Sequence, residues 1–242
     1  LGSLGLPDRE YYVSEDKDSK EKREKYVQHV TRMLQFLGTN PAQAKLDAAK
    51  KEQEAIEKAI EKEKQKQGEL KALEESNGDF EAAVDFLRKK GAKVAANRQD
   101  RDAKEGVVLA KTSPDNRSAV VISVNCETDF VAKNAEFIQF AESVAAIALT
   151  KKPASIDELK ALPYNNDITV GDKFMEQIGK IGEKIDIGYY QTISAEKVVG
   201  YIHPGNRLSV AVGFNKSVSD EVAKNIAMQA AAMAPVAIDK DD

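Results

Sequence analysis

The run Val124-Asn125-Cys126-Glu127-Thr128-Asp129-Phe130-Val131-Ala132-Lys133-Asn134 determines how the rest of the chain is interpreted. Residues 119–124 before it are nearly all apolar or β-branched, which predicts a buried strand. Asn134 is a suitable N-cap for a helix in which apolar residues recur at helical spacing: Phe137, Phe140, Ala141, Val144 and Ala148. The run is therefore predicted to connect a strand to a helix.

Phe130 and Val131 are unusual in such a connection, because loops face water and apolar residues there require a reason. The residues alone leave two interpretations open. Phe130 folds back as part of the core, as most large aromatic side chains do. Alternatively, Phe130 stays exposed as an anchor for a partner protein, since central aromatic residues dominate the energies of protein interfaces.

The composition bounds the class of protein. A chain of 242 residues with 42% hydrophobic content can form one or two domains with a core. A net charge of −4 does not indicate direct nucleic-acid binding. The sole cysteine, Cys126, excludes an internal disulfide and fits a reducing compartment. With no stretch near the ~20 apolar residues of a membrane span and no signal region, we expect a cytoplasmic protein without membrane contact.

Residues 1–67 differ in composition from the rest and are predicted to form a charged helical hairpin. The first helix has an apolar face made by Tyr26, Val30, Met33, Leu34 and Leu37. The segment Gly38–Pro41 breaks it. A second helix over residues 42–66 is rich in Ala, Lys and Glu, with a thin apolar stripe made by Ala55, Ile56, Ala59 and Ile60.

Residues 68–96 are predicted to be a small helical module, because the turn sequence Ser76–Asp79 is followed by a capped helix. Residues 97–106 are polar, with acidic and basic residues in balance, and predict a solvated linker. Residues 107–242 are predicted to be the core domain.

In the core, two turn sequences, Ser113–Asn116 and His203–Asn206, each predict a hairpin between the following strand segments: 107–111 with 118–125, and 188–202 with 207–214. Helices are predicted over residues 134–150 and 219–233, with two short ones beginning at the capping residues Ser155 and Thr169. The predicted fold class is α+β. N-terminal helices precede an antiparallel sheet with helices packed on one face.

No constellation of side chains indicates catalysis, a metal site or a cofactor. His29 and His203 are the sole histidines, and neither lies near Cys126 in the sequence. Cys126 is therefore expected to be a small packing residue. The segment Gly179–Lys184 lacks the Gly-Lys-Ser/Thr of a phosphate-binding loop.

The segment Cys126–Asn134 resembles the Thr-Asp-Phe-Val motif of the elongation factor Ts family. The resemblance extends over about residues 69–242, in the order expected of compact members with one core unit. It includes the segments Ile178–Ile185, Gly200–His203 and Ala227–Pro235. Ala72–Ala83 resembles the last two helices of the family's small ubiquitin-associated-like module. The upstream helix and Thr-Gly-Ala-Gly loop of that module are missing.

The resemblance implies a nucleotide exchange factor rather than an enzyme, with elongation factor Tu as its partner in the GDP-bound and nucleotide-free forms. It implies partner contacts at Thr128, Asp129, Phe130 and Val131, with Phe130 inserting near the partner's Mg²⁺ and nucleotide. Gln229 occupies a place where some relatives carry a partner-binding His. A homodimer is expected by analogy with compact members.

The N-terminal segments Leu6–Tyr12 and Glu24–Val30 resemble part of the non-catalytic helical lobe of neprilysin-type zinc metallopeptidases, over about residues 1–60. Their catalysis requires His-Glu-x-x-His and a third carboxylate, which this sequence lacks, so peptidase activity is excluded. Two alternatives to the exchange function stay open. One is a relative that is inactive in exchange, and the other is a helical protein-interaction module in residues 1–91.

Overall fold

The computed structural model describes residues 14, 16–165 and 168–235, without the side chains of residues 57, 58, 61, 62 and 64. The chain divides into two compact units, residues 1–67 and residues 68–242. In the described part, no helix is both long and apolar enough to cross a membrane. The α+β class predicted from the sequence is confirmed by N-terminal helices followed by antiparallel sheets.

The first unit contains helix α1 (Lys17–Phe36) and most of helix α2 (Pro41–Glu75), separated by the predicted break. Arg23 is buried, donates a hydrogen bond to the Ser14 carbonyl at 2.8 Å and lies 4.0 Å from the Glu52 carboxylate on α2. The predicted apolar face of α1 is only partly buried. The described apolar side chains that are buried in this unit are instead alanines of α2: Ala44, Ala48, Ala55 and Ala59.

Helix α2 is longer than predicted, because it continues to Glu75 instead of ending near Lys66. Gly68 is tolerated inside it since the flanking residues are strong helix formers. Glycine also suits this position because a Cβ there would lie only 3.1 Å from the Lys180 carbonyl oxygen. After the predicted turn, helix α3 (Phe80–Asn97) begins at its N-cap Asp79, whose side chain accepts a hydrogen bond from the Ala82 N–H at 2.9 Å.

The main sheet has the order β1-β2-β3, where β1 is Glu105–Thr112, β2 is Ser118–Cys126 and β3 is Asp186–Ser194. Strands β4 (Lys197–Ile202) and β5 (Ser209–Phe214) form a separate two-stranded sheet. The hairpin of β1 and β2 is as predicted. The single predicted strand 188–202 is wrong, because it is divided between the two sheets. Backbone N–H groups of Ala195 and Val198 bond the Arg117 and Asn116 carbonyls at 3.0 and 2.6 Å where the chain changes sheets.

The described part of the second unit contains five further helices: α4 (Asp129–Ala132), α5 (Ala135–Lys151), α6 (Ile156–Ala161), α7 (Val170–Ile181) and α8 (Asp220–Met233). Side chains alternate along β1, so Val107 and Leu109 join the buried core with Phe137, Phe140 and Phe174. Val108 and Ala110 lie on the other face, against the β4–β5 sheet. The predicted N-caps Asn134, Ser155 and Thr169 are confirmed.

Helix α8 packs against β4 and β5 through small residues, with Ala223 and Ala227 fully buried. The bulky residues of this helix are exposed. Val222, Ile226 and Met233 are 47%, 42% and 73% exposed. The buried apolar residues of this helix are therefore alanines, and its larger side chains face outwards.

Helices α3 and α7 cross in backbone contact. A Cβ at Gly91 would lie 1.8 Å from the Met175 carbonyl oxygen, and one at Gly179 would lie 2.0 Å from that of Leu87. Only glycine permits so close an approach at both positions. Helix α3, at the end of the predicted helical module, is therefore a packed part of the core unit.

Candidate functional site

The segment after β2 forms a single helical turn, α4, in place of an open loop. Thr128 is its N-cap, and the Thr128 hydroxyl oxygen accepts a hydrogen bond from the Val131 N–H at 3.5 Å. Asp129 and Phe130 therefore lie in the first turn of a helix that packs against β1, β2 and the start of α5. Four consecutive predicted partner-binding residues are thus brought together on one short element.

The structure separates the two apolar residues of this turn. Val131 is fully buried and belongs to the core beneath the sheet's helical face. In this conformation it has no surface to offer a partner and instead fixes α4 to the core. Phe130 is only half-buried. Val131 therefore belongs to the buried core and Phe130 does not, and Phe130 remains partly accessible.

The carboxylate of Glu183, in the connection between α7 and β3, holds the start of α4. It accepts hydrogen bonds from the backbone N–H groups of Glu127 and Thr128, each at 3.1 Å, and from the Thr128 hydroxyl at 2.7 Å. Hydrogen bonds to an ionised acceptor are about twice as strong as neutral ones. Glu183 therefore fixes the two residues that precede α4 to the connection between α7 and β3.

Glu127 makes the reciprocal contact. Its carboxylate accepts a hydrogen bond from the Lys184 backbone N–H at 2.7 Å, from Arg98 at 2.7 Å and from Arg101 at 3.2 Å. Burial raises the pKa of Glu127, but the Lys184 N–H and the two guanidinium groups outweigh burial and leave that pKa below its ordinary value. Each of the two segments thus supplies a carboxylate that accepts backbone hydrogen bonds from the other.

The predicted linker, residues 97–106, is largely exposed, as expected, but it is not a free hinge. The Lys184 ammonium group donates to the carbonyls of Gln99 and Arg101 at 2.6 and 2.9 Å. The Asn125 side chain donates to the Ala103 carbonyl at 3.0 Å. Sequence reasoning missed this arrangement, because balanced charge in a polar segment gives no signal for partners that lie far along the chain.

Asp129 and Lys133 form an exposed ion pair at 2.6 Å on the outer side of α4, with 37% and 49% of their side chains accessible. Exposed pairs of this kind contribute little to stability. A polar partner could therefore replace Lys133 as the contact of Asp129 at small cost. Asp129 and Phe130 are neighbours in sequence, and both are partly accessible.

Gln229 lies elsewhere, on the exposed side of α8. Helix α8 packs on β4 and β5, whereas α4 packs on β1 and β2. Gln229 is also one turn from the exposed apolar residues Ile226 and Met233, and two turns from exposed Val222, on the same side of the helix. The structure does not join Gln229 to the residues of α4 through a shared element.

Cys126 is fully buried at the end of β2, and its thiol donates a hydrogen bond to the Thr128 carbonyl at 3.2 Å. Burial, together with the nearby Glu183 charge, raises the pKa of Cys126 to about 12. The thiol is therefore a packing group that also supports the entry to α4. Across the described ranges, no group of three or more His, Cys, Asp or Glu side chains is arranged to hold a metal ion.

Comparison with known proteins gives two family matches. Residues 127–242 match the family model described as Elongation factor TS, and residues 1–103 match that of Peptidase family M13. The first match contains α4, Glu183 and α8. The second covers α1 to α3 and reaches the segment that contains Arg98 and Arg101.

Curated relatives named elongation factor Ts extend the first similarity. The chain is 51% identical to the protein of Christiangramia forsetii over 173 residues, 71% of this chain and 62% of the relative. It is 48% identical to that of Porphyromonas gingivalis over 167 residues, 69% of this chain and 60% of the relative. For Bacteroides thetaiotaomicron the identity is 47% over 171 residues, 70% and 51% of the two chains. The chain thus spans about 51 to 62% of the length of these relatives.

Proposed function

Since most of the chain is similar to elongation factor Ts, we propose that it is a guanine nucleotide exchange factor that promotes GDP release from elongation factor Tu. The observation that carries this proposal is the placement of Phe130. This large aromatic residue is partly exposed on a one-turn helix, and the residues just before that helix are held by the hydrogen bonds between the Glu127 and Glu183 carboxylates and the backbone. A rigidly held, accessible aromatic side chain is suited to insertion into a partner.

The mechanism requires no bond breaking by this chain. Phe130 enters the partner near its Mg²⁺ and nucleotide, and displaces the elements that hold them. A factor that binds the nucleotide-free form more tightly than the GDP-bound form must weaken GDP binding by the same factor. Both nucleotide states of elongation factor Tu are therefore partners, and they differ in affinity.

Each residue of the turn has a separate role in the proposed mechanism. Thr128 caps α4, and buried Val131 fixes it to the core, so the ring of Phe130 is presented without a large ordering cost. Asp129 exchanges its exposed contact with Lys133 for a polar contact on the partner and sets the direction of insertion. Gln229 adds a separate polar contact from α8. A cytoplasmic location and a homodimer are further predictions of this proposal.

The test is stopped-flow release of a fluorescent GDP analogue from elongation factor Tu. We expect the wild-type chain to accelerate release and Phe130→Ala to lose about 30-fold or more of that acceleration, corresponding to the ~2 kcal/mol of an interface hot spot. Tyr189→Ala is the matched control, because Tyr189 is an aromatic residue 49% exposed on β3. It should retain the wild-type rate.

A well-folded wild-type chain that leaves the GDP release rate unchanged would reject the exchange function. A Phe130→Ala variant as active as the wild type would reject the role of Phe130 alone. In the first case the chain is an exchange-inactive relative, which is the alternative that the incomplete N-terminal module leaves open.

The other alternative, an interaction module in the N-terminal helices, is favoured by one specific observation. At the turn between α1 and α2, Phe36 and Leu37 are 87% and 79% exposed, and Met33 and Leu46 are each 52% exposed. Exposed apolar clusters of this kind mark interaction surfaces. Residues 1–91 used alone in a pull-down should then capture a partner that the Phe36→Ser variant does not.

A further inference from the structure

Two carboxylates tie three separate segments of the second unit together at the start of α4. Glu183 reaches from the α7–β3 connection to the N–H groups before α4, and Glu127 reaches back to the N–H of Lys184. Arg98 and Arg101 bring the segment after α3 to the same Glu127 carboxylate. All of these groups lie outside α4, the helix that carries Phe130 and Asp129.

The short helix depends on these contacts. A single turn of four residues is far below the length at which a helix is stable by itself. Ordering the backbone for the first hydrogen bond costs more free energy than that bond contributes. The Glu127 side chain is 12% exposed and that of Arg98 is 29% exposed, so their interaction is screened less than a surface pair. Besides these hydrogen bonds, the burial of Val131 holds α4 in place.

We propose that Glu127 and Glu183 are positioning residues for the exchange reaction, which hold α4 so that Phe130 points towards the partner without touching the partner themselves. This inference rests on the proposed exchange function. It makes the exchange activity depend on groups outside the Thr128–Val131 run.

A positioning role has a kinetic signature that differs from that of an inserting residue. When the carboxylate contacts are weakened, a smaller fraction of molecules carries α4 in the binding-competent arrangement, and the apparent affinity falls by that fraction. A saturating concentration of the chain still selects the competent arrangement. We expect the concentration for half-maximal acceleration to rise about 5- to 20-fold in Glu183→Gln, with the saturating rate within about twofold of the wild type.

The first experiment is a double-mutant cycle on the exchange rate at sub-saturating concentration, with Glu183→Gln, Phe130→Ala and the double variant. If Glu183 acts by positioning α4, its substitution has a much smaller effect once Phe130 is alanine, because only the Asp129 contact on α4 then remains to be weakened. Glu127→Gln should behave as Glu183→Gln does. Glu136→Gln is the control, because Glu136 is an exposed carboxylate on α5 that pairs with Lys180. It should leave both kinetic constants unchanged.

The second experiment measures amide hydrogen exchange without the partner. In Glu183→Gln the amides of residues 127–131 should exchange about tenfold faster or more, whereas those of residues 119–124 in β2 should not change. Unchanged protection at residues 127–131 overturns the inference, and so does a Glu183→Gln defect that is undiminished in the Phe130→Ala background. No acceleration of GDP release by the wild type overturns the exchange function and the inference with it. The hydrogen-exchange result then still shows whether the carboxylates hold α4.

Discussion

Phe130 and Val131 are adjacent in the chain, but their surroundings assign them different roles. Val131 is fully buried, so Val131→Ala should lower the free energy of unfolding by about 2 kcal/mol, from lost transfer energy and the remaining cavity. Phe130→Ala should lower it by less, about 1 kcal/mol, because the ring is only half-buried. Urea denaturation of both variants checks this order. A larger loss for Phe130→Ala would mean that Phe130 is a core residue and not an anchor.

Glu127 should make stability depend on pH in a defined direction. The groups facing its carboxylate are Arg98, Arg101 and the Lys184 N–H, with the Glu183 carboxylate bonded to its own backbone. Its folded pKa lies below the ordinary value near 4.5, so its stabilising effect is present above that pH. The effect is lost as the pH falls through the folded pKa.

Thermal unfolding of the wild type and Glu127→Gln between pH 7 and pH 3 measures this effect. The wild type should have the higher Tm above about pH 5, and the difference should shrink as the pH falls below about 4.5. A difference that stays constant down to pH 3 would show that the Glu127 charge contributes nothing, and that the substitution acts through packing alone.

Among the interactions of single residues, the sequence predicted those that join residues close together in the chain. The N-caps Asn134, Ser155 and Thr169 bond to N–H groups two or three residues ahead, so their position beside an apolar period is enough to identify them. Glu127 and Arg98 are 29 residues apart, and Thr128 and Glu183 are 55 apart. No spacing rule connects charges at such separations, so half of the candidate site was not visible in the sequence.

Among the elements, the crossing of α3 and α7 sets the most severe steric requirement. Gly91→Ala would place a methyl group 1.8 Å from the Met175 carbonyl oxygen. In an unobstructed helix the same change would stabilise by up to about 1 kcal/mol. Because backbone must move here, we expect a net loss of about 2 kcal/mol or more in the free energy of unfolding.

The matched control for this crossing is Ala92→Gly, at an exposed position one residue along α3. It should cost about 1 kcal/mol, the intrinsic preference of a helix for alanine over glycine. Denaturant titration of both variants separates steric conflict from helix propensity. If Gly91→Ala proves as stable as the wild type, the two helices do not cross in backbone contact.

The elements that were predicted incorrectly fail for a common reason. Residues 188–202 carry β-type residues with no glycine or proline at 195–196, so the pattern predicted one strand. The division into β3 and β4 follows from pairing with different partners, β2 and β5, which is a tertiary property. Likewise, α2 continues past Gly68 because the sequence around it still favours a helix.

For the whole molecule, the fold class was predictable, whereas the arrangement of layers was not. Alternating hairpins and helices indicate an α+β chain, because their periods are local properties. Whether the second hairpin extends the first sheet or packs on its face depends on side chains such as Val108 and Ala110. These side chains are small, so they give little indication in the sequence that a second layer packs on them. The same applies to α8, where small residues face β4–β5 and large ones face solvent.

The division into two units leads to the last prediction. The contacts that fix α4, from Arg98 to Lys184, and the crossing of α3 with α7 all lie within residues 68–242. Removal of residues 1–67 should therefore leave a folded chain whose rate of accelerated GDP release is within about twofold of the full chain. Urea denaturation and the fluorescent GDP assay measure both quantities on the same preparations.

A second truncation, of residues 1–97, serves as the comparison. It keeps Arg98 but removes α3, which exposes the α7 face around Met175 and Gly179 and should lower both stability and exchange activity. Suppose instead that the 68–242 fragment folds but loses exchange activity. The N-terminal helices would then replace the upstream helix of the ubiquitin-associated-like module, which is missing from this sequence. Part of residues 1–103, which match Peptidase family M13, would then contribute to exchange activity instead of forming a functionally separate unit.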